Sequence, residues 1–175
     1  MQKTVPTRTP LEQDLKGMQH AIEQARIGFA EGGIPIGAAL IDDTGKIIAV
    51  GRNRRVQENS AIKHGETDCL NTAGRLPPGI YAKCTMYTTL SPCPMCSGAC
   101  LLFGIRGSSW ARTHLSTGPE SFLKERGVEV INLGTYPLEE PMEMMQQFIQ
   151  RTPRNCKAHH RALTWNEDIG EPTKA

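Results

Sequence analysis

Two short segments, His64-Gly65-Glu66 and Ser91-Pro92-Cys93-Pro94-Met95-Cys96, hold residue types that bind and use a metal ion. Cys93 and Cys96 are three residues apart, so a helix beginning at Ser91 (N-cap) and Pro92 (first position) carries both sulfurs on one face. A helix N-terminus stabilises negative charge, which favours a thiolate there. Two thiolates do not complete a zinc site; a structural zinc needs four ligands and a catalytic one needs three plus water. His64 supplies a third ligand. Glu66 is a poor fourth ligand but well suited to carrying a proton. The spacing therefore predicts one catalytic Zn2+ on His64, Cys93 and Cys96, an open position for a water of lowered pKa, and Glu66 as general acid and base.

Other thiols compete for this reading. Cys100 lies one turn beyond Cys96 and could close a structural site, but the helix rise lifts it roughly 6 Å along the axis, so it is expected in the core. Cys69 and Cys84 are expected to be buried small residues. Cys156, His159 and His160 fall in a polar segment read as an exposed loop.

Thr9-Pro10-Leu11-Glu12 predicts a capping box, followed by a helix with Leu11, Leu15, Met18, Ile22, Ala25 and Phe29 on one face and a stop at Gly32-Gly33. The runs IGAALI and KIIAV, separated by Asp42-Asp43-Thr44-Gly45, predict a hairpin. A polar loop then leads to a helix from His64 to Ala73, stopped by Gly74, and a strand over 85–90. Further strands are expected near 108–111 and 128–133, and helices near 120–126 and 141–151. Strands separated by helices predict a sheet covered on both faces.

The 175 residues suit one domain, and the charge of +2, left from 20 basic and 18 acidic side chains, gives no general attraction for a polyanion. Arg52-Asn53-Arg54-Arg55 and the basic run 151–161 are expected to be solvated, so a small or neutral ligand is favoured over nucleic acid. No run of eighteen apolar residues occurs and the N-terminus lacks an apolar secretory stretch, so an intracellular location, cytoplasmic or nuclear, and no membrane partner are expected. Six cysteines in such a compartment are expected to be reduced.

The motifs EGGIPIGAALI, GRN, HGE, YTTLSPCPMC, GIR, RGVEV and WNEDIGE, in this order, resemble the zinc-dependent cytidine/deoxycytidylate deaminase superfamily, and within it the fungal branch that acts on free cytosine. The resemblance implies an α/β fold, a three-layer α/β/α sandwich with a central five-stranded mixed sheet, in a homodimer with one zinc per subunit. It implies hydrolysis of cytosine to uracil and ammonia in pyrimidine salvage, with 5-substituted cytosines as further substrates. It assigns substrate contacts to Asn53, the backbone of Gly65, Asp168 and Trp165, and pocket walls to Ile36, Leu90, Ser91 and Ile169. Leu115 stands where the branch has an aromatic wall. Residues 1–8 are read as a tail and 9–175 as one deaminase domain, with 152–175 as a C-terminal lid. The rival readings are deamination of a modified cytosine, guanine or a tRNA adenosine, and a zinc-stabilised binding module without catalysis.

Overall fold

In the computed structural model, residues 9–110, 120–133 and 139–151 are described. Their elements, in chain order, are α1 (Glu12–Ala30), β1 (Gly37–Asp42), β2 (Ile47–Arg52), α2 (Gly65–Ala73), α3 (Pro78–Tyr81), β3 (Cys84–Thr88), α4 (Pro94–Leu102), β4 (Gly107–Trp110), α5 (Glu120–Glu125), β5 (Glu129–Asn132) and α6 (Glu139–Arg151). The strands form one sheet in the order β2-β1-β3-β4-β5. β1 is antiparallel to β2 and β3, whereas β3, β4 and β5 run parallel, so the sheet is mixed as expected.

Side-chain alternation sorts the core into two layers. Ala39, Ile41, Tyr87 and Ile131 pack against Met18, Ala21 and Ile22 of α1. Their neighbours Ala38, Leu40 and Met86 face the other way, toward Cys69 and Leu70 of α2 and Cys100 of α4. Cys69, Cys84 and Cys100 are thus core residues, and burial pushes the Cys100 thiol up to about 12, where it stays protonated. α6 joins the α1 side, where Met145 and Phe148 pack on Ile34, Ile36 and Leu90, and Arg26 of α1 pairs with Glu140. The result is the α/β/α sandwich.

Two glycines set how closely the helices approach the sheet. A Cβ on Gly37 would lie 2.0 Å from the Ala21 carbonyl oxygen of α1, and one on Gly51 only 2.2 Å from the Cys69 nitrogen of α2. Both contacts are with backbone, so neither helix could sit where it does over a larger residue.

Both proline-marked helices begin two residues later than the sequence suggests. α1 is capped at Leu11, not Thr9; the Asp14 carboxylate reaches back to accept the Leu11 N–H at 2.7 Å, taking the part assigned to Glu12, and Leu11 is 51% exposed instead of on the buried face. α4 starts at Pro94 with Cys93 as N-cap, and Ser91 is no cap. The residue before a proline is driven to extended backbone, and Cys93 accordingly has ψ 169.

Candidate active site

Two helix N-termini meet at the site. His64 is the N-cap of α2 and Cys93 the N-cap of α4, so the positive ends of both macrodipoles converge where thiolates would sit. Thr67 orients His64 by accepting its backbone N–H at 2.9 Å. α2 in turn is seated on β2 through Gly51.

The His64 Nδ1 lies 3.6 Å from Cys93 Sγ and 3.7 Å from Cys96 Sγ, and the two sulfurs are 3.6 Å apart. A tetrahedral zinc with bonds of about 2.3 Å to sulfur and about 2.05 Å to nitrogen requires sulfurs about 3.8 Å apart and sulfur-to-nitrogen separations of about 3.6 Å. The three donor atoms therefore already stand at zinc-binding spacing, and they form the sole such cluster among the described residues.

The electrostatics suit a cation. The Cys93 thiol is pushed down to about 4, first by the hydrogen bond from Cys96, then by His64, against the cost of burial. Cys96 is raised, first by its bond to Cys93 and then by burial, so without metal the pair shares one proton. Burial pulls the His64 imidazole down, but Cys93 and Glu66 outweigh it and leave it raised. Glu66 is 3% exposed and burial raises its carboxyl, opposed by the positive charge of His64. Its carboxyl also contacts the Cys96 thiol, placing an acid that can hold a proton beside the metal ligands.

Five of the sequence-predicted substrate contacts and walls, Asn53, Gly65, Ile36, Leu90 and Ser91, fall among the described residues. The Asn53 N–H donates to the Ile36 carbonyl at 2.8 Å, and a Cβ on Gly65 would lie 3.3 Å from that same oxygen. Asn53 is 2% exposed, and its Oδ1 accepts the Arg55 N–H at 3.1 Å, which leaves the amide NH2 as the group able to donate. Gly37 and Thr89 are tied twice, through Thr89 N–H to the Gly37 carbonyl and Gly37 N–H to Thr89 Oγ1, both at 3.1 Å. That tie holds Leu90 beside Ile36, and the buried Ser91 hydroxyl has no hydrogen-bond partner among the described residues. A narrow apolar cleft, with no metal ligand in its wall, is lined by Pro35, Ile36, Thr89 and Leu90 together with Pro141, Met142 and Met145 of α6. Leu115, Trp165, Asp168 and Ile169 lie outside the described residues.

Sequence reasoning missed Asp68, Thr89 and the α6 methionines. Asp68 carried a signal, since an acid four residues after His64 on the helix faces the same way as the ligand.

The fold and the donor set define a zinc-binding deaminase. Residues 11–111 match the model of the cytidine and deoxycytidylate deaminase zinc-binding region, and the chain belongs to that family. Its relatives include a cytosine deaminase of Candida albicans, 44% identical over 90% of this chain and 97% of that protein. A tRNA-specific adenosine deaminase of Haemophilus influenzae is 36% identical over 61% of this chain and 62% of its own length. Among solved structures, a guanine deaminase from Nitrosomonas europaea shares the fold with a TM-score of 0.62 at 22% identity, over 84% of this chain and 90% of that one.

Proposed function

We propose that this protein deaminates free cytosine, converting cytosine and water to uracil and ammonia. The observation that carries the proposal is the triangle of His64, Cys93 and Cys96 at zinc-binding spacing with the buried Glu66 carboxyl beside it. The Candida albicans relative supports the choice of base, because its likeness runs over nearly the whole of both chains.

His64 Nδ1, Cys93 Sγ and Cys96 Sγ would hold the zinc, which supplies a Lewis acid that lowers the pKa of a water at the fourth position. Glu66 accepts the proton that this water gives up. It passes that proton to N3 as the water oxygen bonds to the amine-bearing C4, then takes the remaining proton from the hydroxyl on C4 and gives it to the amino group, so that the C4–N bond breaks, C4 keeps its oxygen as the uracil carbonyl and ammonia departs. A carboxyl whose proton affinity is raised by burial is fitted to both steps. Asn53 donates its NH2 to the base carbonyl and the Gly65 backbone contacts the same edge. Ile36, Leu90 and Ser91 form the walls.

The same reading assigns Leu115, Trp165, Asp168 and Ile169 to the rest of the pocket, with 152–175 as its lid, 9–175 as one domain and 1–8 as a tail. It extends to 5-substituted cytosines, a place in pyrimidine salvage, an intracellular setting and a homodimer. Among the described residues no helix is long and apolar enough to cross a membrane.

A substrate panel tests the proposal. Cytosine, cytidine, guanine, adenine and a tRNA anticodon stem are each incubated with zinc-loaded protein, and ammonia is measured. Ammonia from cytosine, with uracil as co-product, is expected; release from another member of the panel with none from cytosine would overturn it.

A further inference from the structure

We propose that Asp68, which no role in the reaction yet covers, is a positioning residue that sets the distance between the metal-bearing helix and the base-reading amide. The inference rests on Asn53 being the group that contacts the base. Asp68 lies on α2, two residues beyond Glu66 and four beyond His64, and is 4% exposed. A carboxylate that deep is costly unless donors surround it. Its Oδ2 accepts the Arg52 backbone N–H and the Arg54 Nε–H, each at 3.1 Å, and these two residues flank Asn53.

The other links of this segment lead elsewhere. The Arg52 guanidinium is held by Glu31, the C-cap of α1, at 2.6 and 3.0 Å and by Gln24 of α1 at 3.3 Å, the Arg54 N–H goes to the Lys63 carbonyl and its guanidinium also to Glu58 at 3.5 Å, and Asn53 is tied to Ile36 and Arg55. Asp68 is the tie that comes from α2, the helix that also carries Glu66. Because Gly51 lets that helix meet β2 at backbone contact, the carboxylate reaches the strand end directly. One side chain thus joins the group that reads the ring to the element that presents the proton carrier and a metal ligand.

A contact made equally to substrate and transition state changes KM and leaves kcat largely alone. Loss of the Asp68 tie lets Asn53 drift while His64 and Glu66 stay on α2, so Asp68→Ala should raise KM for cytosine about tenfold, with kcat within about twofold and one zinc per chain retained. Asp68→Asn keeps an acceptor and loses the charge facing Arg54, so a rise of about threefold is expected, and this variant serves if Asp68→Ala does not fold. Asn53→Ala should raise KM by itself, and adding Asp68→Ala to it should change nothing further, because the two act through one contact. Amide hydrogen exchange gives a readout that needs no turnover: residues 52–55 should lose protection in both Asp68 variants while 65–73 keep theirs. Unchanged protection at 52–55, or KM effects that multiply in the double variant, would overturn the inference. If Asn53→Ala leaves KM unchanged, the reading of Asn53 fails instead, and the exchange data still decide whether Asp68 pins the segment.

Discussion

Replacing Gly51 by alanine should disable the metal centre from the far side of α2. The new Cβ would lie 2.2 Å from the Cys69 nitrogen, 2.6 Å from its Cα and 2.8 Å from the Asp68 carbonyl carbon. Unbonded atoms settle at about 3.5 Å, so roughly 1.3 Å must be found, and every offending atom is backbone. No rotamer change relieves it; α2 must move off the sheet. His64 sits at the start of that helix, within 3.7 Å of both sulfurs, and a zinc site tolerates ligand errors of only about 0.2 Å. Zinc affinity should fall roughly 100-fold, the scale seen when the surroundings of a ligand are disturbed. Overpacking also costs about 1–3 kcal/mol, a fall in Tm of roughly 5 °C for a chain of this length. Competition against a chromophoric chelator reads the first quantity and a thermal melt of zinc-free protein the second. A Gly51→Ala protein with wild-type zinc affinity and an unchanged melt would refute the claim that α2 rests on β2 at backbone contact.

The remaining expectations concern protons and the core. In metal-free protein Cys93 should be alkylated by iodoacetamide at a rate nearly flat from pH 5 to 8 that drops below about 4, with Cys96 inert and zinc protecting both, as mass spectrometry of peptides would show. Because the folded Cys93 thiol is depressed below its unfolded value near 8.5, it stabilises metal-free protein fully above that value, and this stability is lost as pH falls through about 4; urea midpoints across pH measure it. Zinc must displace the Cys96 proton and compete with protonation of the raised His64, so binding at pH 7 should release about one to two protons, seen with a pH dye in weak buffer. Tyr87→Phe should cost about 1–2 kcal/mol in denaturant unfolding, because the buried Asp14 carboxylate accepts the Tyr87 hydroxyl at 2.8 Å.

The metal site was readable because its signal is covalent spacing. His64, Glu66, Cys93 and Cys96 each sit within two or three residues of a partner, and a local turn carries them into place. The hairpin was equally plain, since Gly45, with φ 86, ends the turn that Asp42 organises. Helix starts were less so. Ser91-Pro92 and Cys93-Pro94 both offer a cap and a proline, and what decides between them is that Pro94 forces Cys93 to be extended. The roles of Asp68, Gly51 and Thr89 could not be read from spacing, because each depends on which strand a helix lies over. Asn53 marks the same limit: alone it reads as a turn residue, and burial beside Ile36 and Gly65 makes it a candidate for reading a base.

Glu66 as the proton carrier of a zinc-assisted deamination is tested by cytosine turnover of wild-type and Glu66→Gln protein, with zinc determined in the same samples. One zinc per chain in both, with turnover reduced roughly 1000-fold or more in the variant, is the predicted result. Turnover by Glu66→Gln within tenfold of wild type at full zinc occupancy would contradict it.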